Sequence, residues 1–377
     1  MAGIYLHIPF CKQACTYCNF HFSTLRQYQM PLVNAMVVEL DKRSDYLAKN
    51  ETISSIYFGG GTPSLLSEAE LELFLSKISQ LFNIEKDAEI TLEANPDDLD
   101  KQKLNALYRL GINRLSIGIQ SFSDKDLKVL RRSHSAEQAK MSLETAFEVG
   151  FDNISIDLIY ALPDSTVQTW QQNLLRAAAF PIAHLSAYCL TVEPKTQLHH
   201  QVKKKTIKLV PDEEAAAQME FLMNFAPSLG FEQYEVSNFC RNAAYARHNT
   251  AYWQQKPYLG IGPAAHSYNI HSRQWNIANN ALYIKALEND TPFFEIENLS
   301  PTDKYNEYIM TGLRTRWGID RATVKSFGEE FKTYFETNST VFLAQNMLQR
   351  KGNTFSLTRQ GFLQADAIAS ALFWEKN

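Results

Sequence analysis

The chain has 377 residues, 45% of them hydrophobic, enough for one large domain and a smaller one with a substantial core. Thirty-seven basic against 41 acidic side chains leave a net charge of -4, so nothing suggests the basic surface of a nucleic-acid binder, and no stretch approaches the ~20 apolar residues of a membrane helix. The N-terminus lacks the basic segment of a signal peptide, so a cytoplasmic protein is expected, with at most peripheral membrane association and with its cysteines reduced.

In chain order, β-like runs alternate with amphipathic stretches. IYLHI (4–8) precedes a helix predicted near 30–48, and SIYFGG (55–60) precedes one over 67–82. EITLEA (89–94) is followed by 100–110, RLSIGIQ (114–120) by 135–149, ISIDLIY (154–160) by 166–179, and HLSAYCL (184–190) by 212–229. Ser67-x-x-Glu70, Ser135-x-x-Gln138 and Ser165-x-x-Gln168 fit capping boxes, in which side chains satisfy the first free N–H groups of a helix. Gly111, Gly150 and Gly230 fall where helices should stop. Six strand–helix repeats predict an α/β fold with a parallel sheet whose strands read as nearly continuous apolar runs, covered on both faces. Six units are too few for a full eight-fold barrel; a partial (β/α)6 TIM-like barrel and a doubly wound sheet both fit. In either, chemistry belongs at the C-terminal ends of the strands.

This core is expected over residues 1–235. An irregular segment rich in His, Tyr and Trp follows over 236–290, and NDTPFFEIENLSPTD (289–303) reads as a linker. A small α+β, winged-helix-like domain is expected over 300–377, with helices near 303–315, 320–328 and 337–349, a hairpin piece in NTFSLTRQG and a last helix near 359–373. The run Lys203-Lys204-Lys205 with Lys208 reads as a solvated loop, and Cys189 and Cys240 as small buried hydrophobes.

Cys11, Cys15 and Cys18 follow the first strand at C-x3-C-x2-C spacing. Clustered thiols in a reducing compartment point to metal or catalysis rather than disulfides. Structural zinc wants four closed ligands, and a fourth could come from a distance. A [4Fe–4S] cluster held by three thiolates keeps one iron open to a non-protein ligand. Gly59-Gly60-Gly61-Thr62-Pro63 closes the second strand, where glycines let backbone approach a ligand closely. Glu93, Gln120 and Asp157 lie in or at the ends of the next three strands, and polar groups there need partners.

The cysteine spacing resembles the signature of the radical S-adenosylmethionine (SAM) superfamily, over at least residues 4–190. The resemblance implies that the open iron chelates the methionine end of SAM, which the reduced cluster cleaves to a 5′-deoxyadenosyl radical. YLHIPFC, GGGTPS, LEANPDD, GIQSF and IDLIYALP are similar to the subgroup that holds oxygen-independent coproporphyrinogen III dehydrogenase and a branch of heme chaperones. That match implies Tyr5 beside SAM, Gly60, Gly61 and Thr62 at its methionine end, and Glu93 on its ribose. It places Gln120, Arg132 and Asp157 around the rest of the site and Thr191 near the adenine.

Two features imply the chaperone branch. The dehydrogenase has a further cysteine where this chain has Phe20, and it has an extension ahead of the first strand, which here starts three residues in. The third feature is His248-Asn249-x-x-Tyr252-Trp253, which resembles that branch's HNxxYW motif and implies heme binding by these four residues. His266 is a second heme candidate, and His7 is expected to be structural or to line the pocket. The resemblance implies transfer of heme to an apo-hemoprotein such as a respiratory cytochrome, with no catalytic residue assigned. It also implies an electron donor such as flavodoxin or an NADPH-linked reductase. Oxidative decarboxylation of coproporphyrinogen III, or radical chemistry on another substrate, are the alternatives.

Overall fold

A computed structural model of the chain describes residues 1–375; the last two residues of the expected C-terminal domain lie outside them. Six strands come first: β1 (Ala2–Ile8), β2 (Thr52–Gly60), β3 (Asn83–Ala94), β4 (Arg114–Gln120), β5 (Ile154–Tyr160) and β6 (His184–Cys189). They pair in parallel with neighbours in sequence order. A doubly wound sheet would reverse its order part-way, so the architecture is the partial barrel.

The strands are largely buried, apart from the first half of β3 and the end of β6, yet they are not continuously apolar. They alternate, because successive side chains point to opposite faces. Ile4, Leu6 and Ile8 of β1, Ile56 and Phe58 of β2, and Leu115, Ile117 and Ile119 of β4 join the main core under the helices. The intervening positions are Gly3, Tyr5 and His7; Ser55, Tyr57 and Gly59; Glu89, Thr91 and Glu93; and Arg114, Ser116 and Gly118. The inner face is therefore polar, which suits a ligand-holding lumen rather than a packed interior. An expectation of continuous apolar strands misses this because it counts burial and not chemistry.

Helices at Gln29–Lys42, Glu68–Leu81, Lys101–Arg109, Ala136–Val149, Val167–Ala178 and Asp212–Phe225 cover the outside. The Ser67–Glu70 and Ser135–Gln138 capping boxes form, each worth about 1 kcal/mol. The third cap lies one residue on from Ser165. Thr166 has the extended backbone an N-cap needs, and it exchanges bonds with Thr169. Gly150 and Gly230 take the left-handed conformation that ends a helix.

The segment expected to be irregular is ordered and enlarges the sheet. β7 (Glu232–Glu235) and β8 (Asn238–Cys240) extend it antiparallel beyond β6. β9 (Tyr258–Ile261) pairs in parallel with β1, and β10 (His266–Tyr268), β11 (Ser272–Asn276) and β12 (Phe294–Asn298) follow antiparallel. β12 thus occupies the stretch expected to be a linker. Cys240 is buried as expected, but Cys189 at the end of β6 is exposed.

A second core gathers Tyr305, Ile309, Leu313, Phe331, Phe335 and Phe355. It is built from helices Pro301–Leu313, Arg321–Phe327 and Glu329–Ala344 with a small antiparallel sheet. That sheet has the order β13 (Ile319–Asp320), β15 (Thr354–Leu357), β14 (Leu348–Lys351). Backbone bonds from Val236 to Arg314 and from Arg316 to Tyr234 join it to β7. Among the described residues no helix is long and apolar enough to cross a membrane.

Candidate functional site

The loop carrying the cysteines leaves the C-terminal end of β1. Its base is closed by the Ser23 N–H on the Pro9 carbonyl at 2.6 Å and the Cys11 N–H on the Ser23 carbonyl at 3.0 Å. The Thr16 amide and hydroxyl donate to the carbonyls of Leu130 and Val129, both at 3.1 Å. Lys12 pairs with Asp97 at 2.6 Å and with Asp98, beyond β3. The loop is thus pinned from three sides.

The three thiols are partly exposed at the mouth. The Thr62 hydroxyl donates to Cys11 Sγ at 3.4 Å, and the Arg132 guanidinium donates to Cys15 Sγ at 3.4 Å. Arg132 also donates to the Asn95 side chain and, at 2.8 Å, to the Gly118 carbonyl. It faces the mouth rather than a helix surface. Burial raises the Cys11 thiol to about 11, and the neighbouring thiols add to this. Metal ligation deprotonates a thiol outright. Among the described residues no three His, Cys, Asp or Glu side chains converge on a single-ion point. A cubane needs no such point, since each thiolate binds a different iron. Three thiols around one mouth, two of them already accepting donors, fit a cluster better than a lone zinc.

Above the lumen, Glu93 accepts from the Tyr57 hydroxyl at 2.7 Å and from the Gly60 N–H at 3.2 Å. Burial raises Glu93 to about 7; Tyr57 opposes this and the Asp157 charge adds to it. Asp157 is likewise raised by burial, to about 6, with the Ser186 hydroxyl pulling it back. Two half-buried carboxylates that repel each other across the lumen are under-compensated. They suit a ligand that brings positive charge and hydroxyl donors. Gly60 has φ +108°, and a Cβ there would stand 2.8 Å from the His7 ring. A Cβ at Gly118 would meet Gln120 at 3.0 Å and Arg132 at 3.2 Å. Glycine at both positions keeps this cradle open.

Tyr5 and His7 line the same space, His7 bonding to the Tyr5 hydroxyl at 3.2 Å and to the His21 carbonyl at 3.0 Å. Gln120 ends β4 in a left-handed conformation at φ +66°. Thr191 is exposed just beyond β6, at the rim. The fold therefore brings Tyr5, Gly60, Gly61, Thr62, Glu93, Gln120, Arg132 and Asp157 to the end that carries the cysteines. Tyr57 and Asn95 belong with them and were not singled out. The signal for Tyr57 was the period of two that puts Ser55, Tyr57 and Gly59 on one face.

The HNxxYW residues lie at the other end. They form the helix Arg247–Trp253, whose first N–H groups, from Arg247 and His248, donate to Glu89 at 3.0 and 3.1 Å. Glu89 stands level with Ser55 of β2 and, through it, with Gly3 near the start of β1, against which His248 packs. Gly3 and Ile8 are five positions apart, so the motif sits roughly 16 Å from the mouth along the strand. His248 is 1% exposed. Its Nδ1 bonds Ser55 at 2.8 Å and its Nε2 bonds Tyr252 at 2.7 Å, so neither nitrogen is open to an outside ligand in this conformation. Burial lowers it to about 3, and it is neutral. Its ring stacks on Tyr57 at 5.0 Å and on Tyr5 at 6.2 Å, closing the barrel floor. Tyr252 and Trp253 are partly exposed on the outer side. His266 is exposed against Trp275, apart from the motif.

Residues 5–176 match the model of the radical SAM superfamily, and residues 299–363 match that of the HemN C-terminal domain. The chain is 31% identical to the heme chaperone HemW of Bacillus subtilis, an alignment that covers all of both proteins. The chain belongs to the HemW family. It is 32% identical to HemW of Lactococcus lactis over 95% of this chain and 93% of that one. It is 34% identical to the mouse mitochondrial radical S-adenosyl methionine domain-containing protein 1, over 99% and 84%. The solved coproporphyrinogen III oxidase HemN of Escherichia coli, a radical SAM enzyme, matches with a TM-score of 0.85 over 99% of this chain and 90% of that one, at 21% identity. That likeness confirms the fold: a partial barrel with a separate α+β unit at the C-terminal side. A [4Fe–4S] cluster and SAM are the cofactors the radical SAM match carries, and the thiols and cradle described above fit them.

Proposed function

We propose that this protein is a heme chaperone, one that binds a [4Fe–4S] cluster, SAM and heme and passes heme to an acceptor hemoprotein such as a respiratory cytochrome. The observation that carries the reading is the end-to-end match to proteins named heme chaperones. Phe20 supports it, standing 69% exposed beside the cluster loop where the dehydrogenase has a fourth cysteine.

In this reading Cys11, Cys15 and Cys18 hold the cluster. Gly60, Gly61 and Thr62 take the methionine end of SAM, Glu93 its ribose, and Tyr5, Gln120, Arg132, Asp157 and Thr191 the remainder. When bound, the cluster and SAM together supply one-electron chemistry at the mouth. The chain's own part is to hold the thiols, to set the carboxylates against a cationic ligand, and to close the floor. Heme contacts the HNxxYW helix from outside through Asn249, Tyr252 and Trp253, while His248 holds that helix in place. A flavodoxin or an NADPH-linked reductase serves as electron donor.

The test is an anaerobic heme titration of the cluster-reconstituted protein, followed at the Soret band. One heme per chain is expected, bound at least about 10-fold more weakly after His248→Ala with Tyr252→Ala. Unchanged affinity in that variant would move the heme site elsewhere. No saturable binding in the wild type, together with turnover of coproporphyrinogen III, would make the protein a decarboxylating enzyme instead.

A further inference from the structure

A cavity of 240 Å³ lies on the outer side of the barrel floor, between the HNxxYW helix, the β9–β11 strands and the helix Pro301–Leu313 of the second unit. Tyr252, Trp253, Tyr258 and Tyr268 give it aromatic walls, and Met310 adds a thioether. The Tyr252 and Tyr258 rings meet edge-on at 4.5 Å.

Three N–H donors of the lining residues, Trp253 Nε1, Gln255 Nε2 and Arg273 Nε, are buried behind the walls without a hydrogen bond, so a ligand meets them only on a turn of those side chains. A buried donor left unmade is costly, so three at one cavity ask for an explanation. None of the three serves the cluster or the SAM cradle. Lys256 adds an exposed positive charge at the rim. Glu307, across the cavity, pairs with Arg273 at 2.9 Å, so the lining residues Lys256, Arg273 and Glu307 sum to one positive charge, with Asp303 and Glu297 behind the lining. Aromatic walls, unmet donors and a net positive charge select a planar ring that carries a carboxylate.

We infer that this cavity takes one propionate-bearing edge of a porphyrin. Its volume is below the roughly 300–1,000 Å³ of pockets that enclose a drug-sized ligand, so an edge enters and the rest of the macrocycle stays outside. The carboxylate reaches the Arg273 side of the cavity, where it competes with Glu307 for the guanidinium, and the pyrrole ring lies among the tyrosines. This rests on the chaperone reading but assigns the residues that recognise the ligand's acid group, independently of its iron.

The test uses the full-length, cluster-reconstituted chain with metal-free protoporphyrin IX and its dimethyl ester, so that no iron ligation contributes. The diacid should bind once per chain, followed by its fluorescence, and the diester at least about 10-fold more weakly. Arg273→Met should weaken the diacid by a similar factor. Glu307→Gln should do the opposite, tightening the diacid and leaving the diester unchanged, a reversal that loss of packing would not produce. Thr311→Trp, which fills the cavity from the second unit, should abolish binding while cluster absorption and thermal unfolding stay near wild type. Equal binding of diacid and diester, or undiminished binding in Thr311→Trp, overturns the assignment. If heme still binds that variant, the cavity is wrong and the chaperone reading stands. If neither heme nor the diacid binds the wild type, both fall.

Discussion

Glu93 carries the plainest consequence at the scale of one residue. Its carboxyl titrates at about 7 because burial outweighs the Tyr57 and Gly60 bonds. Between the ordinary carboxylate range and about 7, the folded chain holds a proton that the unfolded chain has released. Rising pH through that window therefore lowers stability. A cationic ligand bearing hydroxyl donors needs the ionised form, so the linkage runs the other way for SAM. Its affinity should rise several-fold from pH 6 to pH 8, with proton release on binding, measurable by calorimetry in buffers of different ionisation enthalpy. Glu93→Gln should flatten that profile; a wild-type profile that is already flat would place the ribose elsewhere. Glu93 was readable from sequence because a carboxylate at a strand end is conspicuous. Tyr57 was not, since a tyrosine in a strand looks like core until its hydroxyl is found on Glu93. The resemblance that marked His248 could not show that both its nitrogens are already engaged.

Among the elements, the helix Gln29–Lys42 is tied to the sheet extension by one buried carboxylate. Glu39 is fully buried and accepts from the Gly262 N–H at 2.8 Å, from Asn276 at 2.7 Å and from the Tyr283 hydroxyl. Arg43 stands 3.4 Å away. Glu39→Ala would leave that arginine and three donors unmet, and should cost about 3–5 kcal/mol in chemical denaturation. Glu39→Gln keeps the volume and part of the bonding and should cost less, about 1–3 kcal/mol. Equal losses would mean that the carboxylate's charge carries the stabilisation here and the volume that Gln preserves does not. None of this was legible beforehand. The strands from β9 to β12 are three to five residues long, too short for a period of two to stand out. Their polar residues, such as Ser267, Gln274 and Asn276, are buried by pairing with Arg43 and Glu39, residues more than 200 positions away. The six long strands and their covering helices were legible because each carries its own apolar stripe and stop signal.

Taken whole, the proposed SAM cradle and the proposed porphyrin cavity are joined by a column of rings. The order of the parallel strands followed from the repeat of strand and helix alone; the polar lumen and the closed floor did not, because they depend on what faces what across the barrel. From the outer cavity, Tyr252 bonds His248, His248 stacks on Tyr57, and Tyr57 holds Glu93. Porphyrin at the floor should shift SAM affinity, and SAM should shift porphyrin affinity by the same factor, about 5-fold or more. Tyr57→Phe, which frees Glu93 from the column, should remove the effect. SAM affinity that is indifferent to porphyrin in the wild type would reduce the column to packing. The closed floor also decides traffic. On the proposed reading SAM enters from the cysteine end and porphyrin docks beneath, with the rings of His248, Tyr57 and Tyr5 between them. The two ligands then share binding energy through the floor without touching.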